Sequence, residues 1–286
     1  MINAALVLEG GSLRCLYTAG VLDFFMEHGI EFSCVIGVSA GALTAANYIT
    51  NQKRRSARIN IMHSSDSNYY GLKQLLSKKS AFNFDYLFDN PINQLYPYDM
   101  KKYKNRKQKF YIGATDCITG HIKYFEAGDN YNKMTEYLRA SSSLPLLAPM
   151  VKISNGLYLD GGIVAPIGLE KALEEKYDKV VVILTRNINF TKRPKSFPIQ
   201  TLFSLAYRKY PALMKALNDM PDTYNYIRKK TSEMQKNNKI FVIQPKKVPK
   251  MGNIEKDARK MVQLYLQGLD DAEKTLLEMK TYLELL

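Results

Sequence analysis

The chain has 286 residues, with 41 lysines and arginines against 27 acidic residues, a formal charge of +14. With 46% hydrophobic and 24% charged residues it is ordinary globular material, long enough for one large α/β domain or two small ones. No apolar stretch approaches the length of a membrane span, and Cys15, Cys34 and Cys117 show neither metal-ligand nor redox spacing.

Ala4 to Leu8 is a continuous apolar run and predicts a buried first strand. Glu9-Gly10-Gly11-Ser12 breaks it. Leu16, Ala19, Leu22 and Phe25 then recur at helical spacing, so a helix is expected from Leu13 to His28, closed by Gly29. Phe32 to Ile36 predicts a second strand. Gly37-Val38-Ser39-Ala40-Gly41 follows, and Ala42 to Ala46 reads as the next helix. A serine on such a strand-to-helix turn is held with its hydroxyl exposed, and Gly37 and Gly41 leave room for the tight turn. The competing reading is a βα turn without chemistry. This β-α-β-α start predicts an α/β fold with a parallel sheet and function at the carboxyl ends of its strands.

Residues 52–108 are polar, and their aromatics (Tyr69, Tyr70, Phe82, Phe84, Tyr86, Phe88) predict short helices packed on the core. Lys101 to Lys109 is a basic cluster, read as a solvated face. Phe110 to Thr115 and Ile122 to Ala127 flank Thr119-Gly120 as a hairpin. A helix fits Tyr131 to Ser141. Leu157 to Leu159 is a short strand stopped by Asp160-Gly161-Gly162. Pro166 suits the first turn of a helix through Glu175. Lys179 to Thr185 and Lys239 to Gln244 predict two further strands. From about Glu255 a helix carries Ala258, Val262, Tyr265, Leu269, Ala272, Leu276, Met279, Leu283 and Leu286 in a heptad stripe. That stripe is read as a helix docked on its own domain, with a homo-oligomer seam as the sharper alternative. The divisions expected are a core over residues 1–185, and residues 186–286 as helices plus one strand completing the same domain.

A nucleophilic serine needs a base and oxyanion donors. His28, His63 and His121 all precede Asp160, which excludes a triad in the order serine, acid, histidine. Asp160 is the better partner: it ends a strand, and a partly buried carboxylate can accept the serine proton directly. An Asx-type turn is its bland reading. Gly10 and Gly11 are the expected source of oxyanion N–H groups, with Arg14 in the first turn behind them. Dinucleotide binding is the competitor there, but G-x-G-x-x-G is not matched.

Leu8-Glu9-Gly10-Gly11-Ser12-Leu13-Arg14-Cys15, Gly37-Val38-Ser39-Ala40-Gly41 and Asp160-Gly161-Gly162, in this order, resemble the patatin-like phospholipases. Ala114-Thr115-Asp116 and Ala140-Ser141-Ser142-x-x-Pro145 match too. The resemblance runs from Ala4 to about Thr185, and the remainder looks like the small bacterial members. It implies a three-layer α/β/α sandwich with a mostly parallel central sheet and a helical C-terminal extension. It also implies hydrolysis of acyl esters by a Ser39–Asp160 dyad, with Gly10, Gly11, Ser12 and Arg14 forming or supporting the oxyanion loop. No cofactor and no metal are implied. Ser12 and Cys15 stand where the family's loop usually carries glycine, so replacing both by glycine is expected to speed turnover.

The function expected is therefore a serine acyl-hydrolase of the phospholipase A or carboxylesterase type, acting on lipid or other esters. The alternative is a catalytically weak relative that binds anionic lipid or a protein partner. The N-terminus has too short an apolar run for a signal peptide. With reduced cysteines this points to the cytoplasm. The positive charge points to peripheral contact with an anionic membrane rather than to nucleic acid, which is not expected as a partner.

Overall fold

The computed structural model describes residues 1–71, 73–74, 80–88, 92–252 and 255–286. The rest of the polar stretch at 52–108, and residues 253 and 254 just before the expected start of the last helix, lie outside the described residues.

Eight strands among the described residues form one sheet in the order β5-β6-β3-β2-β1-β7-β8, with β4 on the other edge of β3. β1 (Ile2–Leu8), β2 (Phe32–Val38), β3 (Lys109–Asp116), β7 (Val180–Ile183) and β8 (Phe241–Ile243) are parallel. β4 (Ile122–Glu126) and β6 (Gly156–Asp160) run antiparallel to β3, and β5 (Val151–Ile153) antiparallel to β6. Parallel strands are covered on both faces, so they read as unbroken apolar runs. Leu6 and Leu8 enter a core on one face of the sheet with Val35, Phe110 and Val181. Ala5 and Val7 enter a second core on the other face with Ile36 and Val182. Two cores with one sheet between them make the three layers.

On the first face lie α1 (Cys15–Glu27), α2 (Ala40–Ile49) and the long C-terminal helix, and on the second α4 (Leu169–Glu174) and part of α6 (Pro211–Lys236). α3 (Tyr131–Ser141) packs near β3, β5 and β6, and α5 (Phe197–Tyr207) packs with α6. The C-terminal helix, α7, spans Ala258–Tyr282.

Several expectations shift. A 3₁₀ turn over Ser12–Arg14 precedes α1, because the chain turns sharply out of β1. α4 begins at Leu169 rather than Pro166, since the Pro166 carbonyl accepts the Gly10 N–H at 3.0 Å. β5 has only three residues, too short for a periodic signal. The face that α7 buries is Met261, Leu264, Gly268, Ala272, Met279 and Tyr282, with Val262 and Leu286 exposed. The heptad stripe is thus displaced by one residue over the first half of the helix. The cause is close approach to α1: a Cβ at Gly268 would lie 2.1 Å from the Tyr17 carbonyl oxygen, and one at Gly20 2.1 Å from that of Tyr265. The backbones touch at these two glycines, and that contact selects the buried face. The basic cluster is solvated except at Tyr103, whose hydroxyl donates to Gly128 O at 2.7 Å, and at Arg106, whose buried side chain donates to the Tyr103 and Ala127 carbonyls.

Candidate active site

β3 brings the two chemical residues together. Its residues Tyr111 to Gly113 pair with β2 on one edge and with β4 on the other. Ala114 and Thr115 keep β4 but take β6 in place of β2. β2 ends at its last pair, Val38 with Gly113, and β6 ends at Asp160, opposite Ala114. β2 is parallel and β6 antiparallel to β3. Their carboxyl ends therefore meet head to head on the same edge, with Ser39 after one and Asp160 at the other.

Ser39 has φ 55° and ψ −132°, outside the regions that L-residues favour. The turn is forced by close packing. A Cβ at Gly41 would lie 2.6 Å from the Leu8 carbonyl oxygen, so α2 starts directly against the end of β1. The Ser39 N–H donates to Ser141 Oγ at 2.8 Å, and that hydroxyl donates to Gly113 O at 2.6 Å. Ser141 thus ties the elbow to β3.

Ser39 Oγ donates to Asp160 Oδ2 at 2.6 Å, and both residues are buried. The Gly162 N–H donates to the other carboxylate oxygen at 2.7 Å. Burial pushes the Asp160 carboxyl up to about 6, against the opposing effects of these two hydrogen bonds and of Lys192. No histidine hydrogen-bonds to either residue. His28 caps α1 through Phe24 O, His63 faces Asp66, and His121 sits at the β3–β4 turn.

The glycine-rich loop differs in detail from expectation. Gly10 is not an oxyanion donor, because its N–H is bound to Pro166 O. A Cβ at Gly10 would lie 3.0 Å from the Ser39 Cβ, so the glycine leaves room beside the serine instead. The Gly11 N–H donates to no group among the described residues. α2 begins at Ala40, so its first N–H groups and positive end lie next to Ser39. Ser12 has φ 52°, a left-handed conformation that glycine adopts without cost. Cys15 is in the right-handed region and its thiol donates to Glu9 O at 3.4 Å, so no glycine is needed there. The reason for expecting a gain therefore holds at Ser12 and not at Cys15. Ser12→Gly is expected to leave the melting temperature unchanged or slightly raised. Cys15→Gly is expected to lose about 1 kcal/mol or more, from helix entropy and the buried thiol. Thermal melts of the two single variants check this; equal destabilisation by both would refute it.

Arg14 does not reach the dyad by any hydrogen bond. It is 8% exposed, donates weakly to Met251 O at 3.4 Å, and keeps a buried Nε without a partner. Burial, then Arg186, lowers it to about 10. Around it lie residues that sequence reasoning missed. Buried Glu9 accepts from the Thr185 N–H and hydroxyl and from the Tyr224 hydroxyl. Lys192 stacks on Tyr224 with its nitrogen 5.1 Å from the ring, and burial followed by Lys195 lowers it to about 8. A lone lysine in a basic loop carries no sequence signal. Ser141 did carry one, lying in the small-residue run that ends α3.

A pocket opens beside Ser39, along the side of α2. Its walls are mainly apolar, with Leu13, Leu43, Ile59, Phe84, Leu87 and Tyr98, and Asn47 and Arg55 also line it. Among the described residues no group of acidic, histidine or cysteine side chains is arranged to hold a metal ion. No helix there is long and apolar enough to cross a membrane.

The family model for patatin-like phospholipases matches residues 6–173, and that for a domain of unknown function matches residues 210–284. The uncharacterized protein YjjU of Escherichia coli (strain K12) is 28% identical over 186 residues, 63% of this chain and 51% of that protein. The match thus spans about half the length of that relative. Among solved structures, VipD from Legionella pneumophila aligns over 96% of this chain and 67% of its own, at 12% identity and a TM-score of 0.47.

Proposed function

The chain belongs to the patatin-like phospholipase family, and from that premise we propose that it is a serine acyl-hydrolase acting on lipid or other carboxylic esters. The observation that carries this reading is the 2.6 Å hydrogen bond from Ser39 Oγ to a buried carboxylate whose affinity for a proton is raised.

Ser39 Oγ attacks the ester carbonyl carbon as its proton passes to Asp160 Oδ2. The oxyanion that forms is held by the Gly11 N–H and the amino end of α2. The tetrahedral adduct collapses, the C–O bond to the alcohol breaks, and the alcohol leaves with the proton from Asp160. Water then attacks the acyl-serine and gives its proton to Asp160. Collapse releases the carboxylic acid and returns the proton to Ser39. A carboxyl near pH 6 suits this double use, since it is ionised at neutral pH yet basic enough to accept a proton in the transition state.

The alternative of a catalytically weak relative draws on Ser12 and Cys15; Cys15 fits the backbone it occupies, while Ser12 holds a left-handed φ of 52°. Fluorophosphonate labelling tests the choice. Covalent modification of Ser39, together with turnover of a simple ester, is the expected result; no labelling of the folded protein would refute it.

The buried thiols Cys15, Cys34 and Cys117 are unpaired, which supports a reducing, cytoplasmic setting. The membrane contact we propose is α5. Phe197 and Leu205 are 81% and 67% exposed, Leu202 is exposed beside them, and Lys195, Arg208 and Lys209 flank them at the surface. Apolar side chains rimmed by cations match an anionic lipid surface. The opposite face of α5 packs inward, and the Tyr207 hydroxyl accepts from Leu146 N at 2.8 Å. Sedimentation with anionic vesicles is expected to exceed that with zwitterionic ones and to fall as salt rises. The double variant Phe197→Ser, Leu205→Ser is expected to bind about tenfold more weakly or worse, as two apolar side chains no longer enter the lipid. Equal binding to both vesicle types would refute the assignment.

A further inference from the structure

We infer that the pocket beside Ser39 receives an acyl group whose far end carries a carboxylate, bound there by the guanidinium of Arg55. This rests on the hydrolase reading, which makes the pocket the acyl site, and adds to it the chemical class of the acyl group: the half-ester of a dicarboxylic acid.

The observation is a buried cation without a counter-charge among the described residues. Arg55 is 5% exposed and lines the pocket. Its Nε donates to the Tyr96 carbonyl and its Nη1 to Asn47 Oδ1, each at 2.8 Å. The guanidinium lies over the Tyr98 ring, 3.7 Å from its centroid. All three partners are neutral. Among the described residues no carboxylate pairs with Arg55. Its Nη2 is buried and has no acceptor among the described residues. A guanidinium has five N–H donors, and two are used here. Taking an arginine out of water is costly unless its charge and its donors are met. This guanidinium belongs to a residue that lines the same pocket as the nucleophile, Ser39.

The surroundings fix this cation in place. Asn47 Nδ2 donates to Ser56 Oγ at 2.6 Å, which orients Oδ1 toward Arg55. Tyr98 stacks on the opposite side. The planar fork is therefore held rigid, the condition under which arginine recognises a carboxylate with two parallel hydrogen bonds. A plain alkyl chain would end its methyl against this group and leave the charge unsolvated. A terminal carboxylate would neutralise it.

Distance supplies a length. Ser39 caps α2, and Asn47 lies eight residues further along that helix. At a rise of about 1.5 Å per residue the two are separated by roughly 12 Å. An extended carbon chain with bonds of about 1.5 Å advances roughly 1.3 Å per carbon, so an acyl group of about eight to ten carbons spans the interval.

The test compares aryl half-esters of dicarboxylic acids, from about four to about twelve carbons, with the matching monocarboxylic esters at about pH 8, where the free carboxyl is ionised. The half-ester of about eight to ten carbons is expected to have kcat/KM about tenfold higher than its plain counterpart or more, and the shortest half-esters to show no preference. Arg55→Met is expected to bring that ratio down to about one or below, and Arg55→Lys to keep part of it. The wild-type length series stands alone if neither variant folds. A second arm uses the free acids. Decanedioate is expected to raise the melting temperature of the wild-type protein more than decanoate does. Plain esters preferred at every length, with turnover through Ser39, would overturn the inference and leave the hydrolase reading standing. Failure to cleave any ester, with decanedioate still bound selectively, would end the hydrolase reading and leave the carboxylate site. Equal effects of the two acids would overturn the inference in either case.

Discussion

Ser39→Ala is expected to remove ester hydrolysis by a factor on the order of 10⁴ or more, since deleting the nucleophile of a concerted site costs nearly the whole of its chemistry. The loss falls on turnover, because the pocket that binds the acyl group does not depend on the hydroxyl. The fold is expected to survive. Ser39 holds the elbow through its N–H bond to Ser141 Oγ, and alanine keeps that N–H. Alanine does inherit the unfavourable φ of 55°, so no gain in backbone strain energy is expected. Circular dichroism and turnover measured on the same preparation check both statements. Wild-type rates in a purified, folded Ser39→Ala protein would refute the assignment of Ser39. Substitution of His28, His63 or His121 is expected to leave hydrolysis in place: His28 and His63 are engaged elsewhere, and His121 lies at the β3–β4 turn.

Asp160→Asn is expected to abolish activity nearly as completely, while making the protein more stable above neutral pH. An amide cannot accept the serine proton, so the nucleophile is no longer activated. The stability effect follows from the direction of the pKa shift. Burial raises Asp160 from 3.8 to about 6. The folded state therefore holds this proton more tightly than the unfolded chain. The contribution to stability is full below about pH 4 and is lost as pH rises through about 6. Above that, burying the ionised carboxylate costs about 3 kcal/mol, the equivalent of a shift of about two units. Asparagine carries no charge to bury, so at about pH 8 its melting temperature is expected to exceed that of the wild type by several degrees. At about pH 4 the difference is expected to vanish. A variant less stable than wild type at pH 8 would mean that burial does not raise the carboxyl. The same shift predicts the wild-type pH profile: kcat/KM falls below about pH 6 as Asp160 protonates in the free enzyme. Activity that is flat from pH 5 to pH 8 would contradict it.

The sequence by itself indicated a parallel α/β sheet and singled out Ser39 and Asp160 as the residues proposed to form the dyad. Ala4 to Leu8 and Val180 to Leu184 are unbroken apolar runs, and such runs occur where both faces of a parallel strand are covered. The two glycines around Ser39, and Gly161-Gly162 after Asp160, mark the strand ends where the backbone must turn. Those are local properties, written in consecutive residues. Tertiary structure decided what depends on contact between distant segments. The Ser39–Asp160 bond joins residues 121 apart through the divided edge of β3, and its length follows from strand register rather than from any motif. Gly10 matches the family's loop, but Pro166 closes on its N–H and removes it from the donors. The heptad stripe of α7 was legible, but the face it buries was set by Gly20 and Gly268, because only a residue without a Cβ lets the two backbones touch. Arg55 reads in the sequence as one more basic residue in a polar stretch. Its burial, its neutral partners and its place in the wall of the Ser39 pocket are decided by α2 and the chain around Tyr96 and Tyr98, since charge alone does not say whether a side chain faces water.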